Sequence, residues 1–96
     1  MPKLTIVATI RARPGHEEAV LEGLRGLVAP TRAEEGCAHY DLHRDLEDPR
    51  RFVFHETWES EAHLARHLQS PHIVAHRARV GSLIEEIALQ RLERVE

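Results

Sequence analysis

CAHYDLHRD (residues 37–45) and RRFVFHETWE (residues 50–59) flank the turn residues Glu47-Asp48-Pro49 and read as one antiparallel strand pair. In the second strand Phe52, Phe54, Glu56 and Trp58 share a face, because successive strand side chains alternate sides. Upstream, KLTIVATIRA (residues 3–12) alternates Leu4, Ile6, Ala8 and Ile10 against Thr5, Val7, Thr9 and Arg11, the pattern of a half-buried strand. Arg13-Pro14-Gly15 breaks it. From His16 the period lengthens: Val20, Leu24, Leu27 and Val28 make a helical stripe, with Glu17 and Glu18 in the first turn, where the dipole favours anions. Pro30 is expected to kink or end this helix, Thr31-Arg32-Ala33-Glu34 has capping-box spacing, and Gly36 supplies a stop. Downstream, Ser60 is a good N-cap for a helix carrying Leu64 and Leu68. Ser70-Pro71 ends that helix and starts another, continued by Ile73, Arg77, Val80 and Ile84. EIALQRLERV (residues 86–95) alternates again and reads as an edge or interface strand.

The order strand, helix, strand, strand, helix pair, strand defines an α+β chain: a ferredoxin-like antiparallel sheet with helices on one face. The other face, carrying Thr5, Val7, Val53, His55 and Thr57, needs cover. A sheet-to-sheet homodimer would provide it and leave the space between each sheet and its own helices as a pocket. The 96 residues are read as one domain with one modest core, 42% hydrophobic and 30% charged. A net charge of −3 and the lack of a basic run argue against a nucleic-acid partner. Neither a long apolar run nor a signal-peptide core is visible, and Cys37 is the sole cysteine, so the expected setting is the cytoplasm, with no membrane contact.

HLARHLQSPHIVAH (residues 63–76) concentrates His63, His67, His72 and His76. His63 with His67, and His72 with His76, have the i, i+4 spacing of zinc-binding helices. A third or fourth ligand is not legible, and no metal is expected. Proton transfer is the alternative. His67, in the last turn of its helix, sits where the dipole favours imidazolium, and His72, in the first turn of the next, where it favours the neutral ring. Such a divergence can supply an acid and a base near neutral pH, although exposed helix ends with no role would show the same pattern. Cys37 reads as packing. Glu56, Trp58 and Phe54 form either the edge of the core or the wall and anchor of an aromatic pocket, with Arg44, Arg77 or a histidine available to partner Glu56. Tyr40 and His43 have opposite parity, so at most one of them faces that pocket.

PGHEEAVLEGLRGLVAPTRAEEGCAHYDLHRD (residues 14–45) followed by RFVFHETWESEAHLARHLQSPHIVAH (residues 51–76) resembles the antibiotic biosynthesis monooxygenase (ABM) domain, particularly its small quinol monooxygenase branch. Glu56-x-Trp58-x-Ser60, His67-Leu68-x-Ser70-Pro71-His72 and Glu35-Gly36-Cys37 carry the likeness. The resemblance implies a homodimer whose sheets pack into a dimeric α/β barrel. It also implies oxidation of a small aromatic quinol or phenol by dioxygen with no cofactor, the substrate itself donating the electrons. On that reading His72 is the base, His67 donates to the substrate oxyanion and Glu56 orients an imidazole or arginine, while Trp58, Phe54, Tyr40, His43, His76 and Arg77 contact substrate. Ala8 and His67 stand where haem-degrading relatives carry asparagine and tryptophan, which argues against haem. Phe54 stands where the anthrone oxidisers carry asparagine. Two other functions use the same residues: isomerisation of a small phosphorylated dicarbonyl, for which no glycine-rich phosphate loop is seen, and non-catalytic binding of an aromatic ligand.

Overall fold

Strand β1 (Leu4–Ala12), helix α1 (Glu17–Arg32), strands β2 (Cys37–Arg44) and β3 (Arg51–Trp58), helices α2 (Glu61–Leu68) and α3 (Pro71–Val80), a short 3-10 turn over Gly81–Leu83 and strand β4 (Ile84–Glu93) follow one another in a computed structural model describing residues 3–96. The sheet is antiparallel with order β2-β3-β1-β4, and this ferredoxin-like arrangement places the helices on one face. Ile6, Ala8 and Ile10 of β1 meet Phe54, Phe52 and Trp58 of β3 beneath Val20, Leu24 and Leu27 of α1, with Leu64 and Ile73 closing the core. Phe54→Ala is expected to cost about 3–5 kcal/mol by emptying this layer, measurable by urea unfolding.

Two local expectations give way to tertiary contacts. Helix α1 runs through Pro30 to Arg32. Proline removes only the hydrogen bond to the Gly26 carbonyl, and Gly26 is exposed, so water replaces it. Thr31 does not cap a new helix: it is the last buried residue of α1, and its hydroxyl lies 3.0 Å from His72 Nε2. Ile84 opens β4 rather than continuing α3, whose buried stripe is Ile73, His76 and Val80.

Ser60 caps α2 as its sequence implies, its Oγ accepting from the His63 backbone N–H at 3.3 Å and lying 2.7 Å from His63 Nδ1. Ser60→Ala should cost about 1 kcal/mol in the same unfolding assay. Ser70 sits at the start of α3, but its hydroxyl donates backwards to the His67 carbonyl at 2.8 Å. That bond tightens the α2–α3 junction and brings His67 and His72 to the same place from two helices, their ring centroids 6.0 Å apart.

Strand β2 carries an irregularity between Cys37 and His39: Cys37 opposes Trp58, yet His39 opposes Thr57. The extra residue, Ala38, shifts the phase and turns Tyr40, opposite Glu56, onto the helix-covered face. His39 and His43 are thereby left on the other face. On edge strand β4, Ile87 is 62% exposed, and Leu89 and Leu92 are also uncovered.

Candidate active site

Between the sheet and the helices lies a cavity of about 110 Å³ walled by Tyr40, Phe54, Glu56, His67, His76 and Arg77, opening past Ile87 and Leu89 of β4. Tyr40 stacks on Phe54 with ring centroids 4.4 Å apart. Trp58 lies fully buried behind the wall, 4.7 Å from the His67 ring, and reaches the cavity only through Glu56 and His67. Of the residues expected at the site, Tyr40, Phe54, Glu56, His67, His76 and Arg77 line this space. His43 does not: it is exposed on the opposite face, its Nδ1 3.3 Å from the Val53 carbonyl, because of the irregularity in β2. His72 stands behind the wall, with its side chain 21% exposed.

Glu56 is buried and accepts a 2.8 Å hydrogen bond from the Trp58 indole N–H. Their i, i+2 spacing on one strand face makes them neighbours, so Glu56 partners Trp58 rather than the expected imidazole or arginine. Burial raises its carboxyl from the ordinary 4.5 to about 7, opposed by the bond from Trp58. A proton held more tightly in the folded chain means that Glu56 contributes stability below about pH 4.5 that is lost as pH rises through about 7. His67 and His76 act in the opposite sense, since burial lowers both below 6.5 and their contribution is lost as the pH falls. Urea unfolding at pH 5 and pH 7.5 should therefore show Glu56→Gln gaining stability relative to wild type at the higher pH. Equal differences at both values would show that the carboxyl is not perturbed.

The carboxylate that holds His67 is Glu34, which capping-box spacing assigns to a helix start. Glu34 Oε2 lies 2.6 Å from His67 Nδ1 and 3.1 Å from His72 Nε2. It comes from the turn after α1, His67 from the last turn of α2 and His72 from the first turn of α3. An ionised carboxylate only accepts, so the arrangement selects the His67 tautomer with its proton on Nδ1. Among the described residues, Nε2 of His67 has no protein hydrogen-bond partner. Burial, partly opposed by Glu34, favours the neutral ring. The result is an imidazole with a lone pair available at the cavity wall. Proximity to Gly36 was the only sequence signal for Glu34, since it lies two residues before a turn the chain has to make.

Neither i, i+4 histidine pair converges. His63 turns to Ser60, and His76 packs against Gly23, where an added Cβ would lie 3.2 Å from its Nδ1. His76 Nδ1 is buried with no hydrogen-bond partner. Burial pushes the Cys37 thiol up to about 11, too high for a thiolate nucleophile near neutral pH. No helix among the described residues is long and apolar enough to cross a membrane.

An aromatic-walled cavity between a ferredoxin-like sheet and its helices, with a carboxylate-backed histidine at its wall, defines a small α+β ligand-site class. Within that class the chain belongs to the antibiotic biosynthesis monooxygenase family, whose sequence profile matches residues 3–79. It is 37% identical over 100 residues to an Escherichia coli K12 protein called "Probable quinol monooxygenase YgiN", covering 94% of this chain and 96% of that one. Among solved structures, PA3566 from Pseudomonas aeruginosa is 41% identical with a TM-score of 0.96 over 100% of this chain and 97% of that one. Rv0793 from Mycobacterium tuberculosis is 32% identical with a TM-score of 0.89 over 98% and 96%.

Proposed function

We propose that the protein is a cofactor-independent monooxygenase that oxidises a quinol or phenol with dioxygen, using His67 as the proton acceptor. The observation that carries this reading is the Glu34–His67 pair, 2.6 Å apart, at the wall of a cavity faced by Tyr40 and Phe54. His67 Nε2 takes the phenolic proton, and the electron-rich anion passes one electron to dioxygen. Recombination at a ring carbon gives a peroxide. Loss of water then leaves one oxygen on the ring as a carbonyl and sends the other out as water, all electrons having come from the substrate. The apolar wall keeps competing water from the anion, and Glu56, whose carboxyl burial raises to about 7, can in its protonated form donate to the developing oxyanion.

These roles reverse the assignment expected from helix ends. The dipole at an exposed helix end is worth only ~0.3–1 kcal/mol, and at His67 burial, which favours the neutral ring, prevails over both that dipole and Glu34, which favour the imidazolium. His72, on the far side of Glu34 and partly exposed, is the second partner of that carboxylate and links it to solvent.

The same reading includes a cytoplasmic homodimer, supported by the lone Cys37 and by apolar side chains left uncovered on β4. Light scattering should give twice the chain mass.

The direct test is oxygen uptake by chelator-treated protein against a panel of hydroquinones and naphthols. Catalysed uptake that survives chelation and falls in His67→Ala supports the reading. Uptake no faster than the uncatalysed rate across the panel removes it.

A further inference from the structure

We propose that Glu34, His67 and His72 form a site for a first-row divalent cation of the zinc class, bound by Glu34 Oε2, His67 Nδ1 and His72 Nε2. These three atoms all lie within 4.8 Å of one another, converging from the turn after α1, the end of α2 and the start of α3. Two imidazoles and one carboxylate are the donor set of open zinc sites, which keep a further position for water. Tetrahedral zinc with bonds of about 2.0–2.1 Å sets its donors roughly 3.3 Å apart. Glu34 Oε2 stands 2.6 Å from one nitrogen and 3.1 Å from the other, so these two pairs have to open by less than about 1 Å, while the two nitrogens, within 4.8 Å of one another, settle to the same spacing. The Thr31 hydroxyl, 3.0 Å from His72 Nε2, remains to bind a cation-held water.

The site is half shielded. His67 is buried, while Glu34 and His72 keep 17% and 21% of their side-chain surface exposed, giving an entry path from outside rather than through the aromatic cavity. This cluster differs from the histidine pairs that the sequence offers. His63 and His76 contribute nothing to it, and its third ligand lies 33 residues upstream of His67.

Occupancy has a chemical consequence. A cation on His67 Nδ1 displaces that nitrogen's proton, and the neutral ring then carries its proton on Nε2. The nitrogen available to the cavity changes from acceptor to donor. Bound zinc therefore inhibits any reaction that needs His67 as a base. The binding claim stands independently, whereas the inhibition rests on the function proposed above.

Cobalt(II) is the probe for binding, because its visible absorption band reports low-coordinate nitrogen and oxygen ligation. Titration of chelator-treated protein should produce such a band at one equivalent per chain, removed by added zinc. Glu34→Gln and His72→Asn, shown to be folded by circular dichroism, should weaken binding at least ~100-fold, since losing a ligand costs no less than losing the groups that orient one. His63→Asn should leave the band unchanged. Absence of the band, or its persistence in Glu34→Gln and His72→Asn, overturns the site. Zinc should also abolish quinol-dependent oxygen uptake, with recovery on chelation, and uptake indifferent to bound zinc would overturn the tautomer switch. A protein that shows the Glu34-dependent band but oxidises no quinol would retain the site and lose the oxygenase.

Discussion

His67→Gln lowers turnover of a quinol by ~10²–10⁴-fold, the range over which a positioned base accelerates proton transfer, while substrate still binds. The effect is large because, among the histidines expected at the site, His67 alone combines a place at the cavity wall, burial and a carboxylate on its second nitrogen. Glutamine keeps most of the volume and can still donate to Glu34, but it has no basic lone pair to take a proton. His67→Ala gives a similar loss of turnover with an added stability cost from the cavity left beside Trp58. His72→Ala serves as the comparison: removing the second partner of Glu34 leaves the His67–Glu34 bond in place, so turnover falls less. Steady-state oxygen uptake together with quenching of Trp58 fluorescence by bound substrate separates turnover from binding. A larger loss in His72→Ala than in His67→Gln would return the base to His72.

Gly36→Ala destabilises the chain by about 2–5 kcal/mol, combining roughly 1–2 kcal/mol for a left-handed L-residue with about 1–3 kcal/mol for overpacking. Gly36 has φ +86°, and a Cβ there would stand 2.2 Å from Cγ of His63. The His63 ring cannot swing clear without losing its 2.7 Å contact with Ser60 Oγ at the start of α2. Nor can the turn shift freely, because the Gly36 carbonyl accepts from the Glu59 N–H at 2.8 Å. Since Glu34 lies two residues earlier, whatever stable fraction remains should also lose activity. Gly26→Ala is the control of opposite sign. Its added methyl meets nothing within 4 Å on an exposed helix, so stability should rise by about 0.5–1 kcal/mol. Urea midpoints of the two variants measure both effects, and a Gly36→Ala midpoint equal to wild type would remove this account of the turn.

Much of the fold was legible locally. Alternation in residues 3–12 and 50–59 assigned β1 and β3 and their buried faces, because a period of two has only two phases and apolar side chains select one. Ser60, Ser70 and Pro71 marked the ends of α2 and α3, since caps and N1 proline act within one turn. The wall residues Phe54, Glu56 and Tyr40 followed from strand parity, although Tyr40 was chosen over His43 by the extra residue at Ala38.

Sequence alone thus determined the element order, the ferredoxin-like class, the family resemblance and the presence of two histidines at one helix junction. Tertiary structure decided which of them meets the cavity and which carboxylate holds it. Glu56 was the visible candidate on the aromatic strand, but an indole two residues away satisfies it, whereas Glu34 arrives from 33 positions before His67 through a glycine turn. Periodicity and capping report contacts within a turn or a strand face. The Glu34–His67–His72 cluster joins three elements whose relative placement is fixed only when the sheet and helices pack together.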